Sequence, residues 1–285
     1  MNKRIAAIHD LSGFGKCSLT IILPILSSCG IEVCPLPTAF LSSHTGGLPG
    51  FTHRDLTSDL LPAARQWHEL ELRFDGIYSG FLGSLEQISV VSEIFDLLSN
   101  QNTLIFVDPC MADNGKLYQT YSAEMACGIK TLCHKADYIL PNLTEACLLL
   151  DEPYDPTQYQ TRESVERLTE RLAACFQCGV VLTGISFFPD QIGAACLAGP
   201  GAAPAFVFSQ KISRHYHGTG DLFASVFIAG RMKGLKISRC AQIAADFVSD
   251  SIARTIFDGT DERYGVNFEQ GIPDLISRFQ KEALL

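Results

Sequence analysis

His217–Gly234 reads HGTGDLFASVFIAGRMKG. The glycine-rich turn Gly218-Thr219-Gly220 delivers an acid, Asp221, to the start of a long apolar segment. Small residues in succession let backbone N–H groups converge, and a helix N-terminus adds positive potential, so such a turn can hold an anion. Asp221 is placed either to cap the helix or to act on whatever the turn holds. The short motif alone leaves both open.

Upstream of this helix, short apolar runs rich in β-branched or aromatic residues alternate with longer segments of helical period. The candidate strands are Arg4–His9, Glu32–Thr38, Gly76–Gly80, Leu104–Asp108, Tyr138–Leu140 and Val180–Thr183. Between them, Ser84–Asn100 and Thr161–Gln177 repeat apolar residues every three or four positions behind a Ser or Thr cap. The alternation predicts an α/β doubly wound sheet of parallel strands joined by crossover helices. After Thr183 the pattern changes to GAACLAGP and AFVFSQKI, two extended pieces that predict a small antiparallel edge. No repeat, low-complexity tract or linker interrupts the chain, so residues 1–285 read as a single domain. In open α/β sheets ligands bind beyond the carboxyl ends of the strands, so the chemistry is to be sought there.

Composition narrows the class. The chain is 47% hydrophobic and 19% charged, which excludes a disordered or fibrous protein. A formal net charge of −9 without any basic run argues against a nucleic-acid partner. The start, MNKRIAAIHDLSGFG, meets Asp10 and glycines before any long apolar run and reads as a first strand, not a signal peptide. No apolar run is long enough to span a bilayer, so a soluble cytoplasmic protein with no membrane partner is expected. Of the eleven cysteines, Cys17, Cys29, Cys34, Cys127, Cys133, Cys147, Cys196 and Cys240 sit in apolar segments, as buried reduced thiols would. Cys175 and Cys178 form a CxxC with neither a second pair nor a histidine pair nearby, which favours a structural role over metal or redox chemistry.

Polar residues follow several strands. Asn142 and Glu145, three apart after the strand YIL, either form a helix cap or present an amide and a carboxylate that organise hydrated Mg²⁺. Asp108-Pro109 ends the strand TLIFV, where Asp108 is either a turn former or a ligand of metal and phosphate. Asp113 lies in the polar stretch that follows, and Thr183 ends the strand VVLTG.

The GTGD turn, the NxxE pair and the DP element, in this order along the chain as DP, NxxE, GTGD, resemble the motifs of ribokinase-like kinases. The resemblance implies a three-layer α/β/α fold with a mostly parallel central sheet and a small antiparallel edge. It implies Asp221 as the base that takes the proton of the accepting hydroxyl, with Gly218, Thr219 and Gly220 as the anion hole. Asn142, Thr183, Asp108 and Asp113 would lie near ATP, and Glu145 and Asp108 near its Mg²⁺. Two further segments, PTAFLSSHTG from Pro37 and YSGFLGS from Tyr78, resemble pyridoxal kinases, which places Thr38 against a pyridine ring and His44, Thr45 and Phe81 at the pocket wall. The implied reaction is ATP-dependent phosphorylation of the 5'-hydroxymethyl group of pyridoxal, pyridoxamine or pyridoxine. A homodimer is implied too, as is activation by a monovalent cation such as K⁺, for which no motif is visible.

The first loop departs from this pattern. Where pyridoxal kinases carry QSHV, this chain has His9-Asp10-Leu11-Ser12-Gly13-Phe14-Gly15, closer to the DxSGGAG loop of hydroxymethylpyrimidine kinases. Those enzymes usually carry GTGC where this chain has GTGD, so a pyrimidine alcohol stays as the alternative acceptor. Asp10 either caps the Gly13–Gly15 turn or faces the acceptor, where a carboxylate would bind a pyridinium nitrogen or an ammonium group. A protein that binds a B6 vitamer without catalysis would need neither a hydroxyl base nor a metal site, yet Asn142, Glu145 and Asp221 are all present. A sugar kinase is disfavoured by the absence of a GGxxxN loop after the first strand.

Overall fold

Ile5, Ala6, Ala7 and Ile8 are all fully buried, and they alternate between two cores, Ile5 and Ala7 in one, Ala6 and Ile8 in the other. A strand can be apolar on both faces only when both are covered. That is the position of β1 (Arg4–Ser12) in the computed structural model of the chain, which describes residues 3–214 and 216–282.

From β1 the chain runs through α1 (Leu19–Ser28), β2 (Glu32–Leu41), β3 (His53–Asp55), α2 (Thr57–Glu69), β4 (Gly76–Ser79) and α3 (Leu85–Leu98). It continues through β5 (Leu104–Val107), the short hairpin strands β6 (Ala112–Asp113) and β7 (Lys116–Leu117), α4 (Ala123–Cys133), β8 (Tyr138–Ile139) and α5 (Leu143–Leu149). After α6 (Arg162–Phe176) come β9 (Gly179–Ile185), β10 (Gln191–Leu197), β11 (Ala205–Gln210), α7 (Thr219–Met232), α8 (Ile237–Phe257) and α9 (Ile272–Glu282). Among the described residues nine strands form one sheet in the order β11-β10-β9-β8-β5-β4-β1-β2-β3. Strands β2, β1, β4, β5, β8 and β9 are parallel, while β10 and β11 extend one edge antiparallel.

Helices α2 to α6 pack one core against the sheet; α1, α7, α8 and α9 pack the other. The result is the three-layer α/β/α fold with an antiparallel edge that the sequence predicted. A second antiparallel strand, β3, lies at the opposite edge against Ala39–Leu41 and was not expected. All three of its residues are exposed, so no apolar alternation marks it; backbone pairing alone defines it. Among the described residues no helix is long and apolar enough to cross a membrane.

All eleven cysteines are free. Cys29, Cys133, Cys147, Cys196 and Cys240 are buried as expected, but Cys17 and Cys34 are only half-buried and Cys127 is exposed. It lies on α4 between Ala126, which faces the core, and Ile129, and the helical period turns it to the surface. Cys175 and Cys178 do not share an environment, since the first is exposed at the end of α6 and the second buried before β9.

The helix that carries Asp221 is set by its packing on α8. A Cβ on Gly230 would fall 2.7 Å from the Cys240 sulfur and 3.1 Å from its Cβ, so the two helices approach closely because position 230 has no side chain. Gly230→Ala is expected to lower stability by about 1–3 kcal/mol through overpacking, with part of the loss recovered in the Gly230→Ala/Cys240→Ala double variant. Urea unfolding of both variants and of Cys240→Ala measures this; equal losses in Gly230→Ala and the double variant would show that the contact with Cys240 is not the cause.

Candidate active site

The chain leaves β1 toward β2 on one side and reaches β4 and β5 on the other, and the crevice at such a reversal lies beyond the carboxyl ends of the strands. Asp10 and Ser12 end β1, Asp108 follows β5, Asn142 follows β8 and Thr183 lies near the end of β9. The start of α7 faces Asp108, Asn142 and Thr183 across a cavity of about 520 Å³ lined by Asp108, Asp113, Asn142, Glu145, Thr183 and Gly218–Asp221. A second concavity, of about 550 Å³, is bordered by Arg171, paired with Glu152, and contains none of the candidate residues.

Gly218 precedes α7 with φ 78°, and a Cβ there would fall 2.1 Å from the carbonyl oxygen of Lys16. Only glycine fits. The Leu222 N–H donates to the Gly218 carbonyl, which leaves the earlier N–H groups of the first turn without intrahelical acceptors and aimed past the helix end. Such a terminus suits a phosphoryl group. Asp221 sits in this turn, and one of its oxygens accepts from the Ser18 N–H at 2.9 Å. Burial pushes its carboxyl up to about 7; the Ser18 bond opposes the shift and the Asp10 charge adds to it.

Asn142 and Glu145 form a capping box on α5. Asn142 Oδ1 accepts from the Glu145 N–H at 3.0 Å, and Glu145 Oε2 accepts from the Asn142 N–H at 2.9 Å. Glu145 Oε1 accepts from the Met111 N–H at 2.9 Å, and the Asn142 amide donates to the Ala112 carbonyl at 2.8 Å. The pair therefore fixes the turn after Asp108 as well as its own helix. Glu145 is buried, and desolvation raises its carboxyl to about 7 against these N–H donors. Asp108 is pushed well above the usual carboxylate range by burial and by the charges of Glu145 and Asp221. Asp113 is exposed at the β6–β7 hairpin and accepts from the Asn114 N–H at 2.8 Å.

Glu145 and Asp221 raise the proton affinity of Asp108 between them, so ionising all three calls for a cation nearby, and among the described residues no cluster of three acidic, histidine or cysteine side chains can hold a metal by itself. That donor set fits a hydrated divalent ion that arrives with phosphate oxygens of its own. Glu145, with both oxygens already accepting N–H bonds, fits contact through water. Lys211 and Arg214 line the same cavity and bring positive charge to it, while burial lowers the His217 imidazole and keeps that lining residue neutral.

The expected acceptor-side residues, Asp10, Thr38, His44 and Phe81, do not line this cavity. Asp10 is buried at a register slip between β1 and β2, where it has no Cα partner. Its oxygens accept from the Ser12 hydroxyl at 2.9 Å and the Ser18 hydroxyl at 2.6 Å. These are hydroxyl partners, not the Gly13–Gly15 backbone of a turn cap. Thr38 is buried in β2. His44 was expected at the pocket wall, but both ring nitrogens are committed to backbone. Nδ1 accepts from the Gly46 N–H at 3.0 Å, which leaves the proton on Nε2 to donate to the Arg263 carbonyl at 2.6 Å. It pins the Ser42–Gly47 loop to the segment after α8. Phe81 packs on the core beside the Tyr121 ring, the ordinary use of an aromatic at that position.

Sequence reading passed over Ser18, Lys211, Arg214 and Tyr118. Ser18 carries no local signal, because its partners lie at positions 10 and 221. Lys211 and Arg214 carried one: two cations in the short segment just before the glycine-rich turn.

The sequence profile of the phosphomethylpyrimidine kinase family matches residues 45–265. A Bacteroides thetaiotaomicron protein assigned as a phosphomethylpyrimidine kinase and solved with pyridoxal is similar at 38% identity and TM-score 0.91, over 96% of both chains. Pyridoxal kinase from Lactobacillus plantarum is similar at 28% identity and TM-score 0.87 over 99% of both chains. The hydroxymethylpyrimidine/phosphomethylpyrimidine kinase of Escherichia coli is 25% identical across 88% of this chain and 92% of its own. The chain belongs to the phosphomethylpyrimidine kinase family, a ribokinase-like family of small-molecule kinases to which pyridoxal kinases are related.

Proposed function

We propose that the chain transfers the γ-phosphoryl group of ATP to the 5'-hydroxymethyl group of a vitamin B6 vitamer, with Asp221 as the general base. The carrying observation is one arrangement: a carboxyl poised near neutrality stands in a helix turn whose free N–H groups face a cavity walled by acids on one side and cations on the other. Phosphoryl transfer asks mostly for positioning and charge neutralisation. The N–H groups of Thr219, Gly220 and Asp221 would hold the transferring group, with Lys211 and Arg214 toward the nucleotide phosphates. Asp108 and, through water, Glu145 would hold Mg²⁺, which neutralises phosphate charge when bound. The acceptor is read as a B6 vitamer because the relative at 38% identity was solved with pyridoxal and the SSHTGG and SGFLGS segments resemble those of pyridoxal kinases. Asp10 and Thr38 would meet the ring, and a homodimer is the assembly that the family resemblance suggests.

The deciding assay presents pyridoxal, pyridoxamine, pyridoxine and hydroxymethylpyrimidine with MgATP. Turnover confined to hydroxymethylpyrimidine would overturn the vitamer assignment while leaving the kinase reading intact.

Asp221→Asn is expected to lower kcat by about a hundredfold or more with nucleotide affinity retained. A carboxyl whose folded-state pKa is raised makes the native protein bind more protons than the unfolded chain between about pH 4 and 7, so it lowers stability as pH rises through that window. The Asn variant loses that dependence. Without nucleotide at pH 8 it should therefore be more stable than the parent, by an amount on the order of a few kcal/mol, as denaturant unfolding across pH will measure. Near-parental turnover together with unchanged stability would leave Asp221 as a helix cap only.

Glu145→Gln replaces one accepting oxygen by a donor that opposes a backbone N–H. It is expected to cost about 1–3 kcal/mol in stability and to raise the Mg²⁺ concentration for half-maximal rate, with vitamer KM little changed. A drop in stability with unaltered Mg²⁺ dependence would confine Glu145 to the capping box.

A further inference from the structure

Ser18 stands at the position before α1 where a serine ordinarily turns its hydroxyl onto the helix N–H groups. It makes no such bond. Its hydroxyl donates to Asp10 at 2.6 Å, and its N–H donates to Asp221 at 2.9 Å. One buried residue thereby holds the carboxylate at the end of β1 and the carboxylate at the start of α7.

The backbone conformation is costly. Ser18 has φ 48° and ψ −132°, a region closed to residues with a Cβ except under constraint from their surroundings. A relaxed, extended Ser18 could cap α1 in the usual way, so helix formation does not require the strained form. What the strained form achieves is convergence: in it the N–H and the hydroxyl reach the two acids at once. Asp10 and Asp221 carry like charge at close quarters, and the two donors of Ser18 offset part of their repulsion.

We propose that Ser18 is a positioning residue for phosphoryl transfer, holding Asp10 by its hydroxyl and Asp221 by its N–H so that the acceptor-reading acid and the base keep one fixed relation. The inference rests on the proposed readings of Asp221 as the base and of Asp10 as the acid that meets the acceptor. Removing the hydroxyl frees Asp10, and glycine in addition relieves the backbone, so a merely structural role and a positioning role part company. A structural serine replaced by glycine at this φ gives a protein that is no less stable and no less active. A positioning serine gives one that is no less stable but slower.

Ser18→Ala, Ser18→Gly and Asp221→Asn are compared with the parent on whichever of the four alcohols above is phosphorylated. Ser18→Ala and Ser18→Gly are expected to lower kcat about tenfold, with KM for MgATP within about twofold of the parent. Ser18→Gly should melt at the parental temperature or about 1–3 °C above it. Parental kcat in both Ser18 variants beside an inactive Asp221→Asn would overturn the Ser18 inference alone. Parental kcat in Asp221→Asn would overturn the base assignment and the Ser18 inference with it. A loss of kcat that follows a fall in melting temperature in Ser18→Gly would also overturn it, since instability would then explain the rate.

Discussion

Asp108, Glu145 and Asp221 reach one cavity from three separate parts of the chain, and burial together with like charge makes ionising all of them expensive. The loops around the cavity are arranged to reduce that expense. Glu145 is met by the N–H groups of Asn142 and Met111, and Asp221 by that of Ser18 and by the helix terminus it occupies. None of these donors is a cation. The acids are partly compensated by fixed dipoles, and the remaining deficit is what a divalent ion and the cationic wall of Lys211 and Arg214 suit.

Such an arrangement needs a frame that does not relax. The parallel strands supply it, because the two cores clamp β1 on both faces and close packing transmits any displacement. Helix α7 is nearly all buried beyond its first turn, and its approach to α8 depends on the missing side chain at Gly230. The start of α7 is held from the other side by the Lys16 carbonyl, which would collide with any side chain at position 218. Lys16 is itself tied down, its N–H donating to the Tyr264 carbonyl and its ammonium to Glu269. The glycine turn before α7 is thus fixed by contacts from the segment before α1 and the segment after α8.

The sheet and its order of helices were legible because each strand between two cores must be apolar on both faces, and β1, β4 and β5 advertise that as unbroken apolar runs. The edge strand β3 was not, since exposed His53, Arg54 and Asp55 carry no period. Site residues divide in the same way. Asn142 and Glu145 were legible as a cap because capping is local, and Asp221 because glycine spacing is local. The His44 motif was legible, but not the use of its ring nitrogens by Gly46 and by Arg263, the latter 219 positions away. Ser18 was invisible for the same reason. Contacts that join distant segments leave no periodicity in either segment, and they are what sets the geometry here.

The same crevice also sets which of its side chains can be ionised near neutral pH. His9 is fully buried beside Tyr78, and desolvation pushes its imidazole down to about 3, too weak a base for a hydroxyl proton. The thiols of Cys17 and Cys110 are pushed well above their ordinary range by burial and by the neighbouring acids, so they stay protonated. A cysteine at position 221, as in the GTGC turns of hydroxymethylpyrimidine kinases, would meet the same desolvation and the same Asp10. An aspartate starts some five units lower on the acidity scale than a thiol. The burial that raises these thiols therefore carries the Asp221 carboxyl only to about 7, so its ionised form is available at neutral pH for the proposed role as base.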